Sequence, residues 1–164
     1  MFRKKMNHLS WLCLSILIII LDHTTKMCVG NWLDGSSILR VFPCLNFILT
    51  HNAGSAFSFL AWADGWQRWL FAATSLGVSI YLIRLLYQGE INQGAACAIA
   101  LIIGGALGNL YDRLTSGYVI DFIDFYIAHW HFATFNLADS AISVGAVLWI
   151  VTSYKSRKNN NASN

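Results

Sequence analysis

Charged residues are scarce in this chain of 164 residues. Asp, Glu, Lys and Arg together make up 12% of it, while 56% is hydrophobic. Because a soluble domain normally carries about a quarter charged residues, the scarcity of charge indicates a membrane protein. The formal net charge of +3 is too small and too dispersed to form a basic face. We therefore expect no nucleic-acid partner.

Sequence motifs for nucleotide or zinc binding are also missing. No phosphate-binding loop, dinucleotide-binding glycine pattern or zinc-finger spacing occurs, and we expect no cofactor. The four cysteines form no CxxC pair. Cys28 and Cys44 can form a disulfide if both face an oxidising compartment. His129 and His131 could bind a metal, but no third ligand is evident, so we expect no metal site.

Four apolar stretches are each long enough to cross the hydrocarbon core of a bilayer, which is roughly 30 Å thick. The first follows a basic start, as in a cleaved signal peptide, but it lacks a small-x-small cleavage site, and we expect it to be retained as a helix. The sequence thus predicts an all-α membrane protein with a single integral domain over residues 1–164. Its spans are expected at about 9–28, 66–87, 94–110 and 136–154. Asp22 and Lys26 lie four residues apart near the end of the first span, so they are expected to meet on one face of the helix.

Two further segments complete the chain. Residues 30–65 are more polar, and their β-branched and aromatic residues alternate roughly, which predicts short strands and a loop on the outer surface of the membrane. The sequence Asn52-Ala53-Gly54 within this segment is typical of a turn in which Gly54 supplies an unusual backbone conformation. Residues 155–164 are basic and then polar, and they are expected to be disordered.

The basic residues predict the orientation in the membrane. Four spans put both termini on one side, and the excess of Lys and Arg on that side predicts that the termini are cytoplasmic. All the acids except Glu90 then lie at or beyond the periplasmic face, so we expect the chemistry there. The basic residues on the terminal side are Arg3, Lys4, Lys5, Arg84, Lys155, Arg157 and Lys158, and those on the other side are Lys26, Arg40, Arg68 and Arg113.

The stretch from the third span into the fourth is expected to be a short aromatic loop between two helices, and it carries four aspartates. An ionisable group at the membrane is costly unless it is paired, hydrated or functional. The simplest interpretation of Asp112 is an ion pair with Arg113, and that of Asp124 is a solvated acid in a loop. Asp139, one turn into the fourth span, fits a helix cap or a contact with the helix dipole. Asp121 has apolar neighbours on both sides and is expected to face inward.

Two carboxyls in a partly dry site cannot both ionise cheaply, so one keeps a proton while the other stays charged. The charged carboxylate can then take a proton from water, and the neutral one can polarise an amide carbonyl. This is general acid–base hydrolysis without a metal or a covalent intermediate. A serine nucleophile is less favoured because no GxSxG elbow occurs. The residues alone do not decide which acids form such a pair.

Five short motifs follow one another along the chain. They are DHTTK at 22–26, NAGSAF at 52–57, GGALGNLYDR at 104–113, VIDF at 119–122 and FNLAD at 135–139. Together they resemble the motifs of bacterial lipoprotein signal peptidase, the type II signal peptidase. Each motif is weak by itself, whereas five in order across all four spans are specific, and no motif position departs from the family's pattern.

The resemblance implies a four-span aspartic endopeptidase of the bacterial inner membrane, with a small periplasmic β-sheet or loop element and an active site near the periplasmic face. It implies cleavage of prolipoprotein signal peptides before a diacylglyceryl-modified cysteine, contact with membrane lipids, and inhibition by the cyclic peptide globomycin. The catalytic pair that it implies is Asp121 and Asp139. The substrate-binding or supporting residues that it implies are Asp22, Lys26, Asn52, Gly54, Gly108, Asn109, Asp112, Arg113, Asn136 and Ala138.

The residues leave two alternatives open. Intramembrane Asp, Asn and Arg also form relays in proton- or ion-coupled transporters, although here the acids cluster at one face rather than near the midplane. A non-catalytic assembly factor could instead use the spacing of Gly104 and Gly108 to pack against a partner helix. A further hypothesis is that the loop 52–59 holds the peptide or covers the site.

Overall fold

A computed structural model describes residues 8–33, 38–54 and 65–162. The part of the loop 52–59 beyond Gly54, including the end of the NAGSAF motif, lies outside the described residues. The elements in chain order are a 3₁₀ turn at Leu9–Trp11, α1 (Leu12–Leu33), β1 (Leu39–Phe42), β2 (Leu45–Asn52), α2 (Trp66–Gln88), α3 (Gln93–Thr115), β3 (Val119–Ile127), β4 (Trp130–His131) and α4 (Leu137–Ala162).

Among the residues that the structure describes, four helices are long and apolar enough to cross a membrane, as the sequence predicts. Helix α3 is central, because 67% of its most apolar segment is buried, against 22% or less in the other three. The outer helices instead expose large apolar side chains, among them Ile20, Ile80 and Ile150. The bundle is thus one enclosed helix surrounded by three whose outer faces suit lipid.

The helices extend further than the apolar stretches that predict them. Helix α1 continues to Leu33 and α3 to Thr115, beyond the expected ends at 28 and 110. The end of α1 packs Val29 and Leu33 against the sheet, and the end of α3 has partners inside the protein for Asp112 and Arg113. Helix α4 runs on to Ala162, so residues 155–162 are helical where the sequence predicts disorder. A helix satisfies its backbone N–H and C=O groups internally even where its side chains are polar.

Glycines on α3 set its distance from the neighbouring helices. A Cβ atom on Gly104 would lie 2.9 Å from the carbonyl oxygen of Ser15 in α1, and one on Gly105 would overlap the carbonyl oxygen of Ala138 in α4. The close approach also allows Ser15 Oγ to donate to the carbonyl of Ala100 at 2.7 Å. The small residues therefore pack helices within the chain, rather than serving a partner helix as in an assembly factor.

Replacing Gly105 with Ala is expected to destabilise the protein, because the added methyl group has to push α3 and α4 apart. Overpacking of this kind costs about 1–3 kcal/mol. Gly77→Ala in α2 is the matched control, since a Cβ atom on Gly77 meets nothing within 4 Å. Thermal unfolding in detergent should give a lower midpoint for Gly105→Ala and an unchanged or higher midpoint for Gly77→Ala. Equal midpoints would contradict a tight contact between α3 and α4.

The four strands form one antiparallel sheet in the order β1-β2-β3-β4. Only β1 and β2 come from the segment 30–65 in which strands are predicted, whereas the sequence predicts a loop for the residues of β3. That prediction is wrong, because β2 supplies the backbone partner, with Thr50 opposite Asp121 and Asn46 opposite Asp124. A strand whose partner is distant in sequence carries no local signal of its pairing.

One end of the sheet packs against the end of α1. Phe47 and Phe122 form a small core there with Val29 and Leu33, and the two phenyl rings meet edge to face with their centroids 5.6 Å apart. This core fixes β3, and with it Asp121, against the helices.

Candidate active site

A cavity of about 640 Å³ opens where β3, the start of α4 and the end of α3 meet. Asp121 from β3 and Asp139 from the first turn of α4 both line it, together with Asn52, Asn109 and Arg113. The fold thus brings two carboxyls from different elements into one enclosed space.

Asp121 is almost completely buried, at 1% exposure. Its Oδ1 accepts a hydrogen bond from Asn136 Nδ2 at 2.7 Å, and its Oδ2 accepts one from Asn52 Nδ2 at 2.9 Å. Burial raises the pKa of Asp121 to about 6, and the negative charge of Asp139 also raises it, while the bonds from Asn52 and Asn136 lower it. Asp121 is therefore a carboxyl that holds a proton at mildly acidic pH.

Asp139 is held by a reciprocal cap at the start of α4. Asn136 Oδ1 accepts from the backbone N–H of Asp139 at 2.9 Å, and Asp139 Oδ2 accepts from the backbone N–H of Asn136 at 3.2 Å. This is a capping-box arrangement, so the interpretation of Asp139 as a helix cap is confirmed. Its Oδ1 also accepts from Asn109 Nδ2 at 2.8 Å. One carboxylate therefore both caps the helix and lines the cavity.

Two amide side chains connect the acids. Asn136 is fully buried, and its Nδ2 donates both to Asp121 Oδ1 and to Asn109 Oδ1, the latter at 3.1 Å. Asn109 in turn donates to Asp139. Because the amides bind each other as well as the acids, movement of either amide changes the orientation of both carboxyls.

A buried ion cluster adjoins the amides. Lys26 Nζ lies 2.6 Å from Asp22 Oδ2 and 2.8 Å from Asp112 Oδ2, and it donates to Asn109 Oδ1 at 3.3 Å. The contact of Lys26 with Asp22, one helical turn away, is as predicted. The predicted ion pair of Asp112 with Arg113 is wrong: Lys26 reaches across from α1, and its single ammonium serves both buried carboxylates.

The ion cluster also holds the backbone on two sides of the cavity. Asp22 Oδ1 accepts from the N–H of Ala138 at 2.9 Å, and Asp112 Oδ2 accepts from the N–H of Ile120 at 3.3 Å. Each of these N–H groups belongs to the residue just before one of the two cavity aspartates. A Cβ atom on Gly108 would lie only 2.9 Å from Asp22 Oδ2, so glycine leaves room for this carboxylate.

Arg113 brings a guanidinium to the cavity wall. Its Nη2 donates to the carbonyl of Gly54 at 3.2 Å and its Nη1 to that of Asn109 at 3.3 Å. The guanidinium also lies over the ring of Phe71, 5.2 Å from its centroid. Gly54 N in turn donates to Asn52 Oδ1 at 3.0 Å, which confirms the predicted turn, although the φ angle of Gly54 is not positive. Arg113 therefore ties this turn to α3 and places positive charge beside the acids.

Asp124 is buried at 3% exposure, so the prediction of a solvated loop acid is wrong. Its Oδ2 accepts from Asn46 Nδ2 at 2.9 Å, and its Oδ1 lies 2.8 Å from His131 Nδ1. The pairing of β2 with β3 supplies Asn46 as the partner. Asp124 is thus bound in a separate polar cluster, and the described residues that line the cavity with Asp121 do not include it.

One wall of the cavity lies almost entirely outside the sequence motifs. It is formed by residues 132–135, with the sequence FATF, of which only Phe135 belongs to a motif. The carbonyl of Phe135 accepts from the N–H groups of Phe122 and Ile123, at 3.1 and 2.8 Å, and this fixes the wall to β3. Residues 132–134 carry no recognisable motif, so only the structure reveals their role.

The structure also bears on two hypotheses from the sequence, a disulfide between Cys28 and Cys44 and a metal site at His129 and His131. Cys28 and Cys44 are both free thiols. His131 binds Asp124, and within the described ranges no group of three or more His, Cys, Asp or Glu side chains is placed to hold a metal ion.

The fold and the site define a class of protein: a multi-pass membrane protein in which two carboxyls line one cavity, an arrangement that fits an aspartic peptidase. The family model described as signal peptidase (SPase) II matches residues 14–155. The chain therefore belongs to the signal peptidase II family, and it is a peptidase.

Similar proteins match over nearly their whole length. The lipoprotein signal peptidase of Yersinia pseudotuberculosis is 49% identical over 157 residues, which cover 95% of this chain and 93% of that protein. The lipoprotein signal peptidase of Escherichia fergusonii is 48% identical over 148 residues, covering 89% and 90%. A solved bacterial membrane enzyme, determined by the in meso method, has a TM-score of 0.81 at 29% identity and covers 92% of this chain and 90% of its own.

Proposed function

We propose that this peptidase removes signal peptides from bacterial prolipoproteins by hydrolysing the peptide bond before a diacylglyceryl-modified cysteine, with Asp121 and Asp139 as its catalytic pair. The observation that carries the proposal is the enclosure of both carboxyls in one cavity, where shared amides orient them. The choice of substrate is supported by the relatives, which are lipoprotein signal peptidases.

In the proposed mechanism the pair shares one proton. Asp121 holds it, because burial raises its pKa to about 6, and Asp139, which accepts from two N–H donors, holds the negative charge. Asp139 takes a proton from water as the water oxygen bonds to the carbonyl carbon, and Asp121 gives its proton to the carbonyl oxygen. When the C–N bond breaks, Asp139 protonates the leaving amine and Asp121 recovers a proton from a hydroxyl of the intermediate.

The supporting residues act on this pair in two ways. Asn52, Asn109 and Asn136 orient the carboxyls through the hydrogen bonds described above. Arg113 and Lys26 supply positive charge, which offsets the charge that remains on the pair and on the buried acids beside it. None of these residues is proposed to exchange a proton with the substrate.

The value of kcat/KM is expected to fall as the pH rises through about 6, because Asp121 then loses the proton that the mechanism requires. Asn52→Ala removes a hydrogen bond that favours the ionised form, so it raises the pKa of Asp121 further and moves the fall in activity to higher pH. Asn46→Ala is the matched control, because Asn46 donates to Asp124 instead.

Profiles of kcat/KM against pH for the purified wild-type protein and the two variants measure this shift. A fall at the same pH in the wild-type protein and in Asn52→Ala would contradict Asp121 as the residue that carries the proton.

The chain is further proposed to be one integral domain of the inner membrane, with both termini in the cytoplasm and the cavity near the periplasmic face. The excess of Lys and Arg on the terminal side supports this orientation. The cavity lies where α3 ends and α4 begins, at one end of the bundle. A substrate that is an apolar helix with a lipid-bearing cysteine can then enter sideways, past the membrane lipids around the outer helices.

The decisive test is incubation of the purified protein with a diacylated prolipoprotein, with and without globomycin. We expect cleavage just before the modified cysteine, and we expect globomycin to block it by occupying the same cavity. Cleavage at another bond, or cleavage that globomycin does not affect, would contradict the proposal.

A further inference from the structure

A second cavity adjoins the turn that carries Asn52. It encloses about 530 Å³, and its walls come from Ala53 in that turn, from the start of α2 and from Gly117 in the connection between α3 and β3. Asn52 itself lines the larger cavity and binds Asp121. The two cavities therefore share one turn, and a molecule in the second cavity would contact the turn that orients Asp121.

Arg68, in the first turn of α2, brings a guanidinium to this second cavity. Its Nη2 donates to the carbonyl of Leu114 at 2.9 Å, and the guanidinium lies over the ring of Trp69, 4.8 Å from its centroid. Gly117 leaves room for it, because a Cβ atom there would lie only 3.3 Å from Arg68 Nη1. Neutral groups from three parts of the chain thus hold the guanidinium in place.

Arg68 has no acidic partner in the part of the chain that the structure describes. The ion pairs there have Lys26 or His131 as their basic member, and none of the described residues that line the second cavity is acidic. A cation at the edge of a membrane is costly unless it is paired, hydrated or functional. The charge of Arg68 can therefore meet an anion from outside the protein, and its planar fork of donors suits a phosphate group.

Two tryptophans indicate the depth of Arg68 in the membrane. Trp66 and Trp69 flank it in sequence and are 53% and 60% exposed, at the end of a helix that is long and apolar enough to span a membrane. Tryptophans in this position lie at the level of the lipid headgroups. The anion that is abundant at this level is the phosphate of a phospholipid, whichever face of the membrane the end of α2 occupies.

We propose that the second cavity binds the phosphate of an anionic phospholipid headgroup, with Arg68 as its principal ligand. The described lining offers a cation and no acid. A headgroup with a phosphate and no amine, such as that of phosphatidylglycerol, therefore matches it better than one whose ammonium group would meet no carboxylate. Because Ala53 lines the same cavity, a bound headgroup also holds the turn that carries Asn52. The proposal does not depend on the catalytic activity.

The test measures how phosphatidylglycerol binds and stabilises the purified protein in a non-ionic detergent. Native mass spectrometry gives the dissociation constant of the first bound lipid. A ligand that binds only the folded protein also raises the midpoint of thermal unfolding. Phosphatidylcholine is the lipid control. Arg68→Gln removes the charge from the cavity, and Arg40→Gln is the matched control, because Arg40 is exposed on β1 and lies outside the second cavity.

In the wild-type protein and in Arg40→Gln, we expect phosphatidylglycerol to bind more tightly than phosphatidylcholine and to raise the midpoint. In Arg68→Gln the dissociation constant for phosphatidylglycerol should rise about fivefold, which is the effect of one basic residue near a membrane surface, and most of the rise in the midpoint should be lost. Arg68→Lys keeps the charge without the planar fork, so binding should weaken only about twofold. It keeps the test valid if Arg68→Gln does not fold.

Three outcomes would overturn the proposal. An unchanged dissociation constant in Arg68→Gln would mean that the lipid binds elsewhere. An equal loss in Arg40→Gln and Arg68→Gln would mean that the lipid responds only to the overall charge of the protein. Glycerol phosphate is the probe for a soluble source of the same chemical group. If it raises the midpoint as much as phosphatidylglycerol at equal concentration, the cavity takes a soluble phosphate and a lipid headgroup is not its ligand.

Discussion

Asp121→Asn and Asp139→Asn are each expected to abolish cleavage while leaving the protein folded. Proton transfer by a positioned acid or base contributes about 10²–10⁴-fold to a rate, and members of a catalytic pair act as a unit, so kcat/KM should fall by at least about a thousandfold. Asparagine has nearly the size of aspartate, which preserves the packing around both positions. Cleavage of a diacylated prolipoprotein by each purified variant measures the loss, and circular dichroism on heating reports the fold.

Asp124→Asn is the control that separates catalysis from burial. Asp124 lies on the same strand as Asp121 and is buried to a similar extent, but it binds Asn46 and His131 instead of lining the cavity. We expect this variant to keep its activity within a few-fold. Full activity in Asp121→Asn or Asp139→Asn would end the assignment of that residue. A loss as large in Asp124→Asn would show that β3 needs its acids for folding.

Lys26→Met is expected to have the largest effect on stability, about 3–5 kcal/mol, because removing one partner of a buried ion pair leaves uncompensated charge. Here two carboxylates lose their ammonium together, since Asp22 and Asp112 are 1% and 5% exposed. Methionine fills a similar volume, so the loss is electrostatic rather than a cavity effect. The midpoint of thermal unfolding in detergent measures it.

Two further variants serve as comparisons for Lys26→Met. Lys155→Met removes an exposed lysine of α4, and it should leave the midpoint unchanged. Adding Asp112→Asn to Lys26→Met removes one of the two carboxylates that lost their partner, so the double variant should recover part of the lost stability. An equal midpoint for Lys26→Met and Lys155→Met would contradict the ion cluster.

The helices and one ion pair could be predicted from the sequence because their signals are local. Apolar length marks each of the four spans, and the spacing of Asp22 and Lys26 puts both on one helical face. The capping role of Asp139 is local too, since its partner Asn136 is three residues away. In the ion pair and in the cap, the residues that interact lie within about one helical turn of each other.

The rest depends on contacts between distant parts of the chain. Asp112 has a charged neighbour in Arg113, yet its partner is Lys26 on another helix, and only the packing of α1 on α3 decides between them. The part of β3 that carries Asp121 and Asp124 pairs with β2, which is distant in sequence, so the local pattern around these aspartates predicts a loop. Resemblance to a known family, rather than local pattern, singled out Asp121 from Asp112 and Asp124.

In the proposed mechanism, the reciprocal bonds between Asn136 and Asp139 make the start of α4 part of the catalytic site. The ends of helices open more readily than their middles. Fraying of α4 by a single turn at this end would then release the Asp139 carboxylate from the cavity, while the remaining turns and most of the ellipticity persist. On this proposal the protein loses its activity before its fold, and a bound substrate that covers the first turn protects both.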